Sequence, residues 1–390
     1  MISVEDARRL LFDLVAPLEA ETVPLVQAAG RVLARDVAAK RTQPPFSASA
    51  MDGYAVRADE VATGASFTVI GEAAAGSGYT GTVQAGQAVR IFTGAPVPEG
   101  AGFVVIQEDV ERTGDRIAIT GDTGDAHNIR PAGGDFREGH PMAGPKRLTP
   151  ADIALLASMN IAEVPVTRKP DVALISTGNE LVMPGETPGP GQIIASNTFG
   201  LKALLDQAGA NTRILPIALD TPASLKTALE LARGADLVIT IGGASVGDHD
   251  LVAQVAADMG LDRSFYKIAM RPGKPLMAGR LEGAMMMGLP GNPVSAMVCG
   301  ILFAVPVIEA MQGLPKRAPQ RFQGELAVDV APNGPREHYM RAILEDGLLT
   351  PLPDQDSSLL SVLSAANTLL IRPVRDPARP AGHMVEYIPI

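Results

Sequence analysis

Three loops carrying carboxylates and one carrying cations are the parts of this 390-residue chain whose residue types and spacing suit chemistry. The acidic ones are Ser176-Thr-Gly-Asn-Glu180, Asp220-Thr-Pro and Asp248-His-Asp250, and each follows a run with strand character. Carboxylates brought together repel unless a cation joins them, and a divalent ion that also grips phosphate oxygens is the economical partner. Glu180, Asp220 and Asp250 are therefore candidate ligands for such a cation. Helix capping is the competing account, since Asp220 before Thr-Pro and Asp248 before a helical run both suit an N-cap; three such loops together favour a site. The basic loop, Tyr266-Lys267-Ile-Ala-Met-Arg271-Pro-Gly-Lys274-Pro, sets three cations among stiffening prolines. Lysine offers a point charge and arginine a planar fork, which suits a phosphate or a tetrahedral oxyanion; the competing account is a solvated basic loop.

These loops need a scaffold that places them together. Asp236 to Asp250 reads as a buried strand, Leu237 to Ile241, then a small-residue loop, with a helix from Leu251 to Met259. Gly242, Gly243 and Gly247 would let backbone N–H groups approach a phosphate at the carboxyl edge of an open sheet. Around it, Val172 to Ser176, Arg213 to Leu219 and Phe265 to Met270 read as strands, and Asn197 to Gln207 and Thr221 to Arg233 as helices, which gives a doubly wound α/β domain. Residues 3–40 read as helical, capped by Ser3 with Asp6, and Thr149 to Asn160 reads as a second helical piece able to pack back on them. Between them, Phe67 to Ile70, Ala88 to Phe92, Phe103 to Ile106 and Arg116 to Thr120 form an inserted β domain. A Pro-rich hinge at 314–319 leads to a tail with strand-like segments Leu326 to Val330, Met340 to Glu345 and Leu369 to Pro373.

Composition narrows the function classes. With 33 basic and 43 acidic residues the net charge is −10, so no general basic face exists to track nucleic acid, and any anion site is local. The single cysteine, Cys299, excludes an internal disulfide framework and a Cys-rich metal centre. Charges at the N-terminus stand where a secretory peptide needs an apolar core, so a cytoplasmic protein is expected. The uncharged run Gly283 to Ile308 is long enough to span a membrane, but Leu-Pro-Gly-Asn-Pro divides it into a strand, Ala284 to Gly288, and a core helix capped by Asn292. Met285-Met-Met287 reads as core because successive strand residues face opposite ways. The histidines are scattered, and His249 receives no role.

Two loops of the inserted domain complete a pattern. Pro44-Pro-Phe followed by Ser49-Ala-Met-Asp52-Gly-Tyr-Ala, Phe92-Thr93-Gly-Ala-Pro-Val-Pro, Ile175-Ser-Thr-Gly-Asn-Glu-Leu181, Gly242-Gly-Ala-Ser-Val-Gly with Asp250, Pro272-Gly-Lys-Pro275 and Gly288-Leu-Pro-Gly-Asn-Pro-Val-Ser295 occur in order. Together they resemble the molybdopterin molybdenumtransferases, the family that includes the gephyrin E domain, across nearly the whole chain. The resemblance implies a homodimer of four-domain subunits whose α/β domain is similar to the molybdopterin adenylyltransferase fold. It implies the domain limits 1–42 with 139–169, 43–138, 170–315 and 316–390. It also implies a reaction in which molybdate is inserted into adenylylated molybdopterin and AMP is released with help from Mg2+, the substrate coming from an adenylyltransferase partner.

Carried over by position, Asp52, Thr93, Glu180, Asp220, Asp250 and Lys267 resemble the catalytic and nucleotide-facing set, and Arg271, Lys274, Ser295, Arg341 and Ser357 the oxyanion pocket. Arg271 stands where many relatives have lysine, Asn179 where many have aspartate, and Gln355-Asp-Ser-Ser358 where a Gln-Gly-Ser-Gly-like loop is usual. Two other readings share parts of the pattern. An adenylyltransferase has no evident need of the Asp52 and Thr93 domain, and a non-enzymatic gephyrin-like scaffold has no need of intact acidic and basic loops.

Overall fold

The computed structural model describes residues 1–243 and 251–390, so Gly247, Asp248, His249 and Asp250 lie outside the described residues. Its centre is a six-stranded sheet in the order Asn211–Ile214, Asp171–Ser176, Leu237–Ile241, Ala284–Leu289, Met277–Leu281, Asp262–Tyr266. The first four strands run parallel, and the fifth, Met277–Leu281, pairs antiparallel with both its neighbours. Every residue of Leu237–Ile241 is buried, because helices cover both faces of the sheet. On one face Leu174, Ile239 and Met287 meet the helix Asn197–Gln207 and the helical run beginning at Pro293. On the other, Ile175, Val238 and Met286 meet Pro222–Leu231 and Leu251–Asp258. The three methionines thus alternate between two cores, each fully buried large side chain contributing about 1.5–3 kcal/mol.

The helical stretch Pro293–Met311 is long and apolar enough to cross a membrane, and 78% of its most apolar window is buried inside the fold. The expected Asn292 cap is only half realised. Asn292 occupies the N-cap position with extended backbone but makes no side-chain cap hydrogen bond, because its amide reaches across to Ser357.

The expectation of helix throughout 3–40 is corrected. A helix covers Val4–Asp13, where the Ser3 hydroxyl accepts from the Asp6 N–H at 2.9 Å, and it stops before Pro17. Beyond it Ala20–Pro24 pairs antiparallel with Glu163–Thr167, a partner more than a hundred residues away that no local periodicity reveals. Helix Pro150–Ser158, with a reciprocal Thr149/Asp152 capping box, packs back on the 3–40 segment as expected, but on Ala28 and Leu33 rather than on the helix Val4–Asp13. Its Leu156 joins Leu33, Val164 and Val166, whereas Val4, Ala7 and Leu11 join the α/β core.

The inserted β region is a six-stranded sheet ordered Phe103–Ile106, Gly53–Val56, Gln87–Ile91, Ser66–Ala73, Arg116–Ile119, Val110–Thr113. At the C-terminus, Glu337–Glu345, Leu348–Pro351, Phe322–Leu326, Met384–Pro389 and Thr368–Arg372 close on themselves. The strand expected over Phe265 to Met270 divides in two. It turns at Lys267, whose φ is +70°, and Met270–Arg271 then pairs with the C-terminal strand at Glu337 and His338. This hand-over carries the basic loop from the α/β sheet to the C-terminal strands.

Candidate active site

At the carboxyl edge of the parallel strands lies a cavity of about 1000 Å³. Glu180 and Asp220 both line it, as do Gly242, Gly243, Asn292 and Ser295. Asp220 is not the helix cap that the competing account requires: Thr221 caps Pro222–Leu231, its hydroxyl accepting from Ser224 N–H. Asp220 instead exchanges hydrogen bonds with Asn179, its carboxylate accepting from the Asn179 N–H at 3.3 Å and its own N–H donating to the Asn179 side-chain oxygen at 3.0 Å. Gly242 and Gly243 have φ of +92° and +66°. A β-carbon on Gly242 would sit 2.7 Å from the Thr177 carbonyl, and one on Gly243 2.9 Å from the Thr177 hydroxyl, so only glycine lets these two loops lie flush.

Oxygen donors such as Glu180 and Asp220 fit a hard divalent cation. Among the described residues no group of three or more ligating side chains closes around a metal, and Asp250, the third expected carboxylate, lies outside them.

The cations form a second assembly beside this cavity. Lys267, Arg271 and Lys274 do not line it, although Pro275 at the end of their loop does. The Lys267 ammonium lies 4.6 Å from the centre of the Tyr266 ring, and the Lys274 carbonyl accepts from Ile268 N–H at 3.0 Å, folding the loop on itself. Arg271 is exposed, and its register partner on the neighbouring strand is His338. Arg341 is fully buried. One of its terminal nitrogens donates to the Asp356 carbonyl at 3.0 Å, while Nε and Nη1 have no hydrogen-bond partner among the described residues. Burial, then the charge of Arg271, lowers its affinity for its proton. A guanidinium has no stable neutral form at ordinary pH, so this site keeps its positive charge.

Residues 354–358 join the two assemblies. Gln355 receives the Arg341 N–H at 2.9 Å and donates to the Arg341 carbonyl at 2.9 Å, clamping the loop to the strand. Ser357 accepts from the Asn292 amide at 2.7 Å, and its carbonyl accepts from Val294 N–H at 3.0 Å. Ser358, rather than Ser357, reaches the cavity. The unusual Asp356 is turned to Ser358, accepting from its N–H at 2.8 Å and its hydroxyl at 2.6 Å; these bonds, with the charges of Arg341 and Arg271, hold its carboxyl below the usual range.

Asp52 and Thr93 sit apart, at the ends of strands in the inserted sheet, and neither lines the cavity. One oxygen of Asp52 accepts from both the Thr93 N–H at 2.8 Å and the Thr93 hydroxyl at 2.7 Å, which lowers the acidity range of the carboxyl further than the charge of Arg90 does. The Arg90 guanidinium lies 5.0 Å from the centre of the Tyr54 ring and 4.9 Å from that of Phe92, and donates to the Gly53 carbonyl at 3.1 Å. It therefore braces the residues adjoining both Asp52 and Thr93. Neither Arg90 nor Ser358 has a site role legible in the sequence, and Asn292 reads there only as a helix cap; a charged residue inside the apolar run Ala88 to Phe92 is the one local signal for Arg90.

Three family descriptions match the chain in order: MoeA N-terminal region (domain I and II) over residues 2–160, probable molybdopterin binding domain over 173–310, and MoeA C-terminal region (domain IV) over 323–390. The molybdopterin molybdenumtransferase of Haemophilus influenzae is 39% identical over 317 residues, covering 80% of this chain and 78% of that protein. Molybdopterin molybdenumtransferase 2 of Mycobacterium tuberculosis is 37% identical, covering 95% of each. The crystal structure of the molybdopterin biosynthesis moeA protein from Pyrococcus horikoshii superposes with a TM-score of 0.86 at 28% identity over the full length of both chains. With the domain order, the loops and the overall fold in agreement, the chain belongs to the molybdopterin molybdenumtransferases, transferases of molybdenum cofactor biosynthesis.

Proposed function

We propose that this protein inserts molybdate into adenylylated molybdopterin and releases AMP, acting as a cytoplasmic homodimer supplied by a molybdopterin adenylyltransferase. The observation that carries this reading is the 354–358 loop. It ties a large cavity with carboxylates and close-approach glycines to a buried arginine with unpaired donors, so one nucleotide-like substrate and one oxyanion can meet. Glycines 242 and 243 admit substrate phosphate to the backbone, Glu180, Asp220 and Asp250 would hold Mg2+, and Lys267 faces the nucleotide. When bound, Mg2+ supplies charge neutralisation at the pyrophosphate. Arg271, Lys274, Ser295, Arg341 and Ser357 receive molybdate, a dianion that bare carboxylates would repel.

In metal insertion two thiol S–H protons and one oxide of molybdate leave as water while two Mo–S bonds form, with no change of oxidation state. AMP release consumes a second water at the pyrophosphate. The proposed domain limits are those expected from the sequence, with helix Val4–Asp13 leaning on the 170–315 unit. Asp52 and Thr93, which do not line the cavity of their own chain, serve the site of the other subunit.

The test is turnover: adenylylated molybdopterin and molybdate, with Mg2+ and no ATP, yield AMP and active cofactor. Formation of adenylylated molybdopterin from ATP would make the protein an adenylyltransferase. Absence of any turnover by folded protein would leave the scaffold.

A further inference from the structure

We propose that Ile2 is a positioning residue for the active site: its backbone holds Lys267 in the conformation that directs the ammonium to the nucleotide. The inference rests on the reading of Lys267 as the nucleotide-facing cation. Ile2 and Ile268, far apart in sequence, form a parallel bridge. The Ile2 N–H donates to the Lys267 carbonyl at 3.3 Å, and the Ile2 carbonyl accepts from the Ala269 N–H at 2.8 Å. The helix Val4–Asp13 brings Ile2 to this place. Its Val4, Ala7 and Leu11 are buried in one cluster with Ile268 and Met270, and Ile2 is half-buried against the same cluster.

Lys267 needs such a hold. Its φ of +70° lies in the left-handed region, which is disfavoured for a residue with a β-carbon and persists only where the surroundings fix it. Two bonds fix it here. The Lys267 N–H donates to the Leu276 carbonyl at 3.0 Å, which continues the pairing of Tyr266 with Met277 in the α/β sheet. The other bond is the one from Ile2. The side chain is half-buried, with its ammonium 4.6 Å from the centre of the Tyr266 ring, so the backbone at Lys267 governs where the charge points.

Past this turn the chain is held by other means. The Ala269 carbonyl accepts from the Glu337 N–H at 3.0 Å, and Met270 and Arg271 pair with Glu337 and His338. Loss of the Ile2 donor therefore leaves Arg271 in register on the C-terminal strand. Lys267 keeps one bond of two and relaxes toward ordinary backbone conformations, which turns its side chain out of the direction it now holds. The effect of Ile2 on the nucleotide thus passes through Lys267.

The probe is AMP with Mg2+, titrated calorimetrically into the full-length protein. Ile2→Pro removes the N–H and keeps the carbonyl. It is expected to weaken AMP about three- to tenfold, the scale of one hydrogen bond, and to weaken it no further in the Lys267→Ala background. Ile2→Val, which keeps the N–H, should bind AMP as wild type does. A second readout needs no variant. If the pairing favours the nucleotide, the nucleotide must favour the pairing to the same degree. Exchange of the Ala269 N–H in wild type, followed by NMR, should slow several-fold on saturation with AMP, and by more than exchange in the buried strand Leu237–Ile241. Unchanged AMP affinity in folded Ile2→Pro, equal losses from Ile2→Pro with and without Lys267, or an Ala269 exchange rate indifferent to AMP overturns the proposal. Wild-type AMP affinity in Lys267→Ala overturns the reading of Lys267 and the proposal with it.

Discussion

The Asp52 corner and the Arg341 chamber are both charged, and they solve the problem of charge in opposite ways. At Asp52 a half-buried carboxylate receives two hydrogen bonds from Thr93, and the neighbouring Arg90 rests on two aromatic faces. That corner is satisfied by its own chain. At Arg341 the cation is buried, two of its nitrogens have no hydrogen-bond partner among the described residues, and the neighbouring Asp356 is engaged with Ser358. The difference teaches which region is shaped for presenting a group and which for receiving one. A satisfied corner keeps its geometry without a ligand, whereas buried unpaired donors cost roughly 1–3 kcal/mol each until something accepts from them.

The largest expected effect comes from removing the unsatisfied charge. Arg341→Met should weaken molybdate binding by about a hundredfold or more, since it deletes the buried charge and its free donors. Thermal stability should fall little or rise, because an uncompensated buried cation is replaced by a flexible apolar chain. Calorimetry with molybdate and a melting curve check both halves. Unfolding of the variant with no ligand present would mean that Arg341 serves the C-terminal strands rather than an anion, and the contrast with Asp52 would disappear.

Next in size is the assembly test. If Asp52 completes the site of the other subunit, co-expressing inactive Asp52→Ala with inactive Asp250→Ala gives mixed dimers with one doubly damaged and one sound site. Random pairing makes about half the dimers mixed, so activity should return to roughly a quarter of normal. Mixed dimers confirmed by mass spectrometry of differently tagged chains but lacking activity would place both residues in one chain's site.

A smaller loss is expected at the joint between the cavity and the chamber. Asn292→Ala removes the 2.7 Å bond to Ser357 and leaves the loop held by Gln355 and the Val294 backbone. The expected cost is about 1 kcal/mol of stability, a typical value for one hydrogen bond, with a several-fold rise in KM for molybdate and little change in nucleotide affinity. Equal losses for the two ligands would show that the joint does not distinguish cavity from chamber.

The two regions also differ in how legible they are. Leu237–Ile241 and Asn197–Gln207 are readable to the residue because a strand buried on both faces leaves an unbroken apolar run and a helix buried on one face leaves a local period. The Asp52 and Thr93 loops are readable as motifs. The chamber is not, because it exists only when Met270–Arg271 leaves one sheet to pair with Glu337–Glu345, a contact with no local signature. The same limit explains the misreading of residues 3–40: Leu10, Leu11 and Leu14 promise a continuing helix, but the chain passes Pro17 and finds a strand partner at 163–167. Ser357 is named by its position in a motif, and only the folded loop shows that its hydroxyl holds Asn292 while the neighbouring Ser358 lines the cavity.

The smallest expected effect tests whether the Asp52 corner is as self-sufficient as it looks. Its carboxyl is held low first by the Thr93 N–H, next by the Thr93 hydroxyl, and last among the lowering causes by the charge of Arg90. A depressed carboxylate keeps its ionised form until the pH falls through its folded-state value, so removing a lowering cause must move the acid limb of the pH-rate profile to higher pH. Thr93→Val, which loses the hydroxyl but keeps the N–H, should move that limb more than Arg90→Met, which keeps both bonds from Thr93. The measurement is the position of the limb, not the height of the plateau, because either change can also lower the rate. A larger displacement in Arg90→Met than in Thr93→Val would mean that Arg90 sets the geometry of the Thr93 bonds through its grip on Gly53 and the two rings. The corner would then depend on a brace from outside its two loops, and its independence from the rest of the inserted sheet would be lost.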